Sequence, residues 1–144
     1  MKLAATIVVI IALGLGSAAS AEVPPPLGVT SRDIGGGALN QYTPGVESGK
    51  GLNNIGLLVR MWGRVTFVDS TNKFFYIDDG CGREDGSGNK GVRVSYDNLA
   101  LGETFSPPAQ YSYVAITGIS STVMINTKVQ PNLRPRRDAD KTVF

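Results

Sequence analysis

Apolar and polar residues alternate over residues 57–67, near the middle of the chain. One set of alternating positions is mainly apolar and consists of Val59, Met61, Gly63, Val65 and Phe67. The positions between them carry Arg60, Trp62, Arg64 and Thr66. A period of two is typical of a β-strand with one face in the core, so we predict that the first set points inward and the second outward.

Four further strands are predicted downstream. A polar turn at residues 69–72 joins the first strand to a second one at residues 73–78, and the two form a hairpin. A third strand at residues 92–96 and a fourth at 113–119 follow, and a fifth at 122–129 pairs with the fourth across Ser120 and Ser121. Gly63, in the middle of the first strand, allows the bend that a small closed barrel requires. The chain is therefore predicted to be all-β, with a five-stranded OB-like Greek-key barrel and an extended N-terminal arm.

A resemblance to a known family rests on four short segments of these strands. They are Gly63-Arg64-Val65-Thr66, Phe75-Tyr76-Ile77-Asp78-Asp79-Gly80, Gly91-Val92-Arg93-Val94 and Tyr113-Val114-Ala115-Ile116-Thr117-Gly118. With the lead-in residues 51–59, they resemble OB-fold domains of bacterial exported proteins. The resemblance covers residues 51–133 and departs at Cys81, where a serine is usual. It implies the fold and no active site, and it leaves the ligand open among oligonucleotides, oligosaccharides and proteins.

The flanking segments predict the domain organisation. Residues 1–21 combine a basic start, an apolar run and the small residues Ala19-Ser20-Ala21, which is the pattern of a signal peptide cleaved after Ala21. The apolar run is too short for a transmembrane helix, so we expect a secreted, periplasmic or cell-surface protein without a membrane span after cleavage. Pro- and Gly-rich residues 22–54 predict an extended arm, residues 55–133 the barrel and residues 134–144 a polar tail.

Composition narrows the chemistry. The chain has no His and one Cys, which excludes histidine-dependent catalysis, His-containing zinc sites and an internal disulfide. Lys and Arg number 14 against 12 Asp and Glu, so the overall charge does not favour a nucleic-acid binder. We therefore predict a non-catalytic protein without a cofactor. Cys81 is either a free thiol or part of an intermolecular bridge, and its Gly-rich turn favours the free thiol.

A candidate ligand surface follows from the outward positions of the first three predicted strands. They carry Arg60, Trp62, Arg64, Phe74, Tyr76 and Arg93. Aromatic rings among cations suit the stacking of bases or sugar rings and the neutralisation of anions. The ligand is left open among an oligosaccharide, a single-stranded nucleic acid and a protein. The same residues can instead form cross-strand pairs, or the arm can cover them.

Two other segments offer alternatives. The loop at residues 78–89 contains Asp78, Asp79, Glu84, Asp85 and Asn89, but its spacing differs from that of a calcium-binding loop, so we interpret it as a long turn without a metal.

The arm carries the apolar residues Val29, Ile34 and Leu39, which could add along a neighbouring barrel. The alternative function is therefore a structural subunit of an extracellular filament or surface assembly that polymerises through its arm.

Overall fold

Seven β-strands build the part of the chain that the computed structural model describes, residues 24–144. They are β1 (Leu27–Gly28), β2 (Leu58–Asp69), β3 (Phe74–Asp78), β4 (Val92–Ser95), β5 (Tyr113–Ile125), β6 (Lys128–Arg134) and β7 (Lys141–Val143), with a 3₁₀ turn at Asp138–Asp140 before β7. The prediction of an all-β chain is confirmed. The predicted signal peptide lies outside the described residues. Within residues 24–144, no helix has the length and apolarity needed to cross a bilayer.

Five of these strands pair in a ring. The order is β2–β3–β4–β6–β5, and β5 pairs back with β2. The pairing of β4 with β6 is parallel, and the other four pairings in the ring are antiparallel. The short strands β1 and β7 extend the sheet outside the ring, beside the first half of β2 and the first half of β5, respectively.

The alternating pattern of β2 produces the core as predicted over its first half. Val59, Met61 and Val65 are buried and pack with apolar residues of β3, β4, β5 and β6. Gly63 lies on the same inward side, at the position where β3 meets β2. A Cβ atom at Gly63 would lie 2.6 Å from the carbonyl oxygen of Asp78, so only glycine permits this close approach of the two strands.

The second half of β2 departs from the predicted alternation. Val65 pairs with Ile77 and Phe67 pairs with Tyr76, which leaves Thr66 as the extra residue of a β-bulge. The bulge turns Phe67 away from the core, so the prediction that Phe67 points inward is wrong. Thr66 is held in place by its hydroxyl, which donates a 2.6 Å hydrogen bond to the carbonyl of Lys90.

The predicted hairpin at Ser120 and Ser121 is also wrong. Strand β5 continues through both residues to Ile125, and the chain reverses at Asn126 and Thr127, which adopt positive φ values of 48° and 65°. Two consecutive residues with positive φ are characteristic of a tight hairpin turn. Ser120 suggested a turn because it is polar, but it is buried and donates a 2.7 Å hydrogen bond to Asn54.

The arm folds onto its own barrel. Beyond β1 it forms turns, and it is not extended as the sequence suggested. Ile34 is fully buried in the barrel core. Asn54 fixes this arrangement, because its side chain accepts a 2.8 Å hydrogen bond from the Gly35 amide and donates a 2.7 Å bond to the Asp33 carbonyl. The core therefore begins before residue 55, where the sequence placed the start of the barrel.

The predicted polar tail is also part of the fold. β6 includes residues up to Arg134, and β7 pairs with β5 through Val114, Ala115 and Ile116. Asp140 is buried and receives two side-chain hydrogen bonds from Arg136, at 2.9 and 3.0 Å. This ion pair anchors the segment that leads into β7.

Candidate functional site

The six side chains predicted to form one ligand surface lie in two separate groups. Arg60, Trp62 and Arg64 lie on the first half of β2, which pairs with β5. Phe74, Tyr76 and Arg93 lie on β3 and β4, on the other side of β2. The structure therefore does not bring the six together in one continuous surface.

An open groove lies over the first group, on the outer surface of β2 and β5 between β1 and β7. Trp62 is opposite Ala115 and Arg64 is opposite Tyr113, and directly opposite residues of an antiparallel pair project to the same side. Phe144 follows β7, and its amide donates a 3.0 Å hydrogen bond to the Tyr113 carbonyl. The groove has a volume of about 580 Å³ and is lined by Pro26, Gly28, Arg60, Met61, Trp62, Tyr113, Ala115 and Phe144.

Exposed aromatic rings form the walls of this groove. Trp62 is 61% exposed, Tyr113 54% and Phe144 78%. Ala115, beside Trp62 on the neighbouring strand, and Gly28 on β1 are small residues that also line the groove. An apolar groove lined by exposed aromatic rings suits a ligand that contains rings.

Arg60 and Arg64, the two arginines on this outer face of β2, are not paired with a carboxylate of the described residues. Arg60 donates a 3.3 Å hydrogen bond to the Thr142 hydroxyl, and the Arg64 guanidinium lies over the Tyr111 ring, 4.8 Å from its centroid. Within residues 24–144, neither arginine forms an ion pair. Both are exposed, so their remaining donors can serve a bound group.

A second, more polar groove lies on the other side of Trp62. It has a volume of about 480 Å³ and is lined by Trp62, Arg64, Thr66, Asp78, Asp79, Gly80, Lys90 and Tyr113. Trp62 and Tyr113 border both grooves, which makes the two one continuous surface. Arg64 and Lys90 carry two positive charges and Asp78 and Asp79 carry two negative charges, so this lining has no net charge. Arg64 stacks on Tyr111 and forms no ion pair with Asp78, the residue opposite it on β3.

The second group of predicted residues is less accessible, because Phe74 and Arg93 are half-buried and Tyr76 is buried. Arg93 covers Phe74, with its guanidinium carbon 3.7 Å from the ring centroid. Tyr76 is on the outer side of β3 but is fully buried, since the loop between β3 and β4 folds over it and its hydroxyl donates a 2.7 Å hydrogen bond to Asp85. Burial, with Asp85 beside the phenol, raises the pKa of Tyr76 to about 12. The prediction that Tyr76 offers an accessible ring is therefore wrong.

The carboxylates of the acidic loop accept hydrogen bonds from backbone amides of the loop and of the arm. The ligand atoms of Asp78, Asp79 and Cys81 lie within 4.8 Å of one another. However, the Gly82 amide donates to Asp78 at 3.0 Å, and the amides of Ser31 and Cys81 donate to Asp79 at 2.8 and 3.2 Å. Burial acts to raise the pKa of Asp79, but these hydrogen bonds lower it overall. These contacts agree with the interpretation of the loop as a long turn.

The three apolar residues proposed for assembly differ in their surroundings. Ile34 is in the core and Val29 packs against it, so both serve this chain's own barrel. Leu39 is 71% exposed. Strand addition to a neighbour through all three residues would therefore require the arm to leave its own core.

Sequence reasoning missed Pro26, Tyr113 and Phe144. The sequence pattern predicts Tyr113 only as the start of a strand, and the other two belong to the predicted arm and tail. The alternating pattern contained a signal for Tyr113, because it precedes the inward Val114 and so lies on the outward side. No local pattern indicates that β1 and β7 flank the same face.

Comparison of the chain with protein-family models, with curated proteins and with solved structures finds no match.

Proposed function

We propose that this chain is an exported, non-catalytic binding module built on an OB-type barrel, and that it binds its ligand over Trp62. Support for the OB-type barrel comes from the strand order of the ring and from the parallel pairing of β4 with β6, which join the first, second, third, fifth and fourth strands in turn. The pattern of residues 1–21 supports export.

The exposure of Trp62 carries the proposal. A large aromatic side chain on a strand is normally covered, and its exposure within a groove of other aromatic rings is typical of a binding surface. The described part of the arm, residues 24–54, leaves this ring exposed and contributes Pro26 and Gly28 to the edge of the groove.

The single tryptophan of the sequence provides the test, because its fluorescence reports on the groove alone. The mature protein is titrated with a panel of oligosaccharides, single-stranded oligonucleotides and unstructured peptides, and binding is followed by fluorescence and calorimetry. We expect one class to change the Trp62 emission and to bind Trp62→Ala at least about 30-fold more weakly.

Tyr42→Ala is the matched control, since Tyr42 is an aromatic residue that is 85% exposed and lies outside both grooves. It should bind as the unchanged protein does. The proposal is wrong if no class in the panel alters the fluorescence, or if both variants bind equally well.

A further inference from the structure

The two grooves on either side of Trp62 differ in polarity, and together they indicate what kind of ligand they take. The groove between β1 and β7, called the aromatic groove below, is mainly apolar, with Tyr113 and Phe144 in its walls and Arg60 as its charged lining residue. The groove beyond Trp62, called the polar groove, contains charges of both signs. A ligand that crosses Trp62 must therefore offer apolar ring faces to one groove and hydrogen-bonding groups to the other.

We infer that the ligand is an oligosaccharide of several rings that lies across Trp62, with one ring in the aromatic groove and another in the polar groove. This inference rests on the proposed function and names the ligand class of that site. A sugar ring has an apolar face that packs on aromatic side chains and a rim of hydroxyls that both donate and accept hydrogen bonds. Each of these properties matches one side of Trp62.

Asp78 has hydrogen-bonding capacity left for such hydroxyls. One of its carboxylate oxygens accepts the Gly82 amide, whereas its other oxygen has no hydrogen bond within residues 24–144. Because Arg64 stacks on Tyr111, it does not neutralise this carboxylate. Carboxylates accept from hydroxyls, while Arg64 and Lys90 donate to them, so the mixed lining suits a hydroxyl-rich ligand.

The same carboxylates argue against a nucleic-acid strand. A phosphodiester backbone is bound mainly by several Lys or Arg side chains along its path. A nucleic-acid strand that crosses Trp62 from the aromatic groove would meet Asp78 and Asp79, and their negative charges would repel its phosphates. The four charged residues of the polar groove give it no net positive charge to offset that repulsion.

The experiment compares three probes by Trp62 fluorescence. They are a β-linked gluco-oligosaccharide series from the monosaccharide to the hexasaccharide, the corresponding neutral galacto-oligosaccharide series, and oligo(dT). We expect at least one sugar series to bind, with an affinity that rises about tenfold or more from the monosaccharide to the trisaccharide, because longer sugars fill both grooves. Equal affinity for the monosaccharide and the hexasaccharide would contradict a site that spans Trp62.

The variant Asp78→Asn tests the ligand class by the sign of its effect. It keeps an oxygen to accept the Gly82 amide but removes the negative charge. For the binding sugar we expect affinity to fall about threefold to tenfold, since a charged acceptor is lost. For oligo(dT), the loss of repulsion would raise the affinity. Tyr42→Ala serves as the control and should leave both affinities unchanged.

The outcomes separate the two claims. If oligo(dT), or a peptide of the panel that tests the proposed function, changes the Trp62 emission and neither sugar series does, the oligosaccharide inference is overturned while the proposed binding function stands. If none of the probes or peptides changes the emission, both are overturned. If a sugar series binds and Asp78→Asn weakens it, the inference is supported.

Discussion

At the scale of single residues, Trp62 and Tyr76 differ in what packs over them. Both project outward from the ring of strands. Trp62 lies beside Ala115, which is too small to cover it, so the indole stays exposed. Tyr76 lies under the loop between β3 and β4, where Asp85 accepts a hydrogen bond from its hydroxyl. Alternation along a strand predicts the direction of such a ring, but the neighbouring segments decide whether it can meet a ligand.

The buried phenol of Tyr76 predicts a loss of stability in alkaline solution. Its pKa is raised to about 12 in the folded chain, so the folded state keeps a proton that the unfolded state loses above its ordinary pKa of about 10. The unfolding free energy should therefore fall between about pH 10 and about pH 12, by no more than about 3 kcal/mol from this group. Urea unfolding of the unchanged protein and of Tyr76→Phe, at about pH 8 and about pH 11, measures this difference.

In Tyr76→Phe this contribution disappears, so the variant should lose less stability on going to high pH. At neutral pH it should be less stable by about 1–3 kcal/mol, because buried Asp85 loses a hydrogen-bond donor. Tyr42→Phe, which alters an exposed phenol, should match the unchanged protein at both pH values. An identical pH dependence in Tyr76→Phe would contradict the role given to burial.

At the scale of elements, the arm acts as part of the core. We predict that Ile34→Ala lowers the unfolding free energy by about 2–5 kcal/mol, because it leaves a cavity in the core. Leu39→Ala is the matched control from the same segment and should cost less than about 0.5 kcal/mol, since Leu39 is exposed. Denaturant unfolding of both variants gives the comparison, and equal values would show that the arm does not contribute to the core.

The 3₁₀ turn before β7 supports the wall of the aromatic groove. Burial acts to raise the pKa of Asp140, but hydrogen bonds from Arg136 lower it overall, so this contact stabilises the fold above the ordinary aspartate pKa of 3.8 and is lost as pH falls through the lowered value. Asp140→Asn should therefore speed hydrogen exchange of the β7 amides at neutral pH more than that of β3.

Ligand affinity should fall in the same variant, because Phe144 follows β7 into the groove wall. Asp97→Asn is the control, since it breaks an exposed ion pair with Arg134 outside both grooves. If Asp140→Asn and Asp97→Asn bind ligand equally well, β7 does not support the site.

Much of the ring was predictable, because alternation and polar turns are local signals. Val59, Met61 and Val65 point inward as the pattern predicted, and β2, β3 and β4 lie close to the expected positions. The errors have long-range causes. Ser120 can be buried because its hydroxyl donates a hydrogen bond to Asn54. Tyr76 is covered by the loop that contains Asp85, which accepts a hydrogen bond from the phenol. A contact between distant segments leaves no periodic signal in either one.

At the scale of the whole molecule, the arm's internal packing predicts the oligomeric state. Val29 and Ile34 already pack in this chain's own barrel, so the mature protein should be a monomer in size-exclusion chromatography with light scattering. A protein that starts at Asn54 should fail to fold, because Ile34 and the backbone partners of Asn54 are missing. Concentration-dependent fibres of the full mature protein would instead support the filament alternative.

The position of the groove lining along the chain has a consequence for the order of assembly. Pro26 and Phe144 border the same groove, yet they lie at the two ends of the described residues. For a chain that is exported unfolded and N-terminus first, the groove cannot form until β7 and Phe144 have crossed the membrane. The ring of strands does not need β7 in order to pair. Ligand in the compartment of synthesis would therefore meet no complete site, and capture would begin only once β7 and Phe144 have crossed.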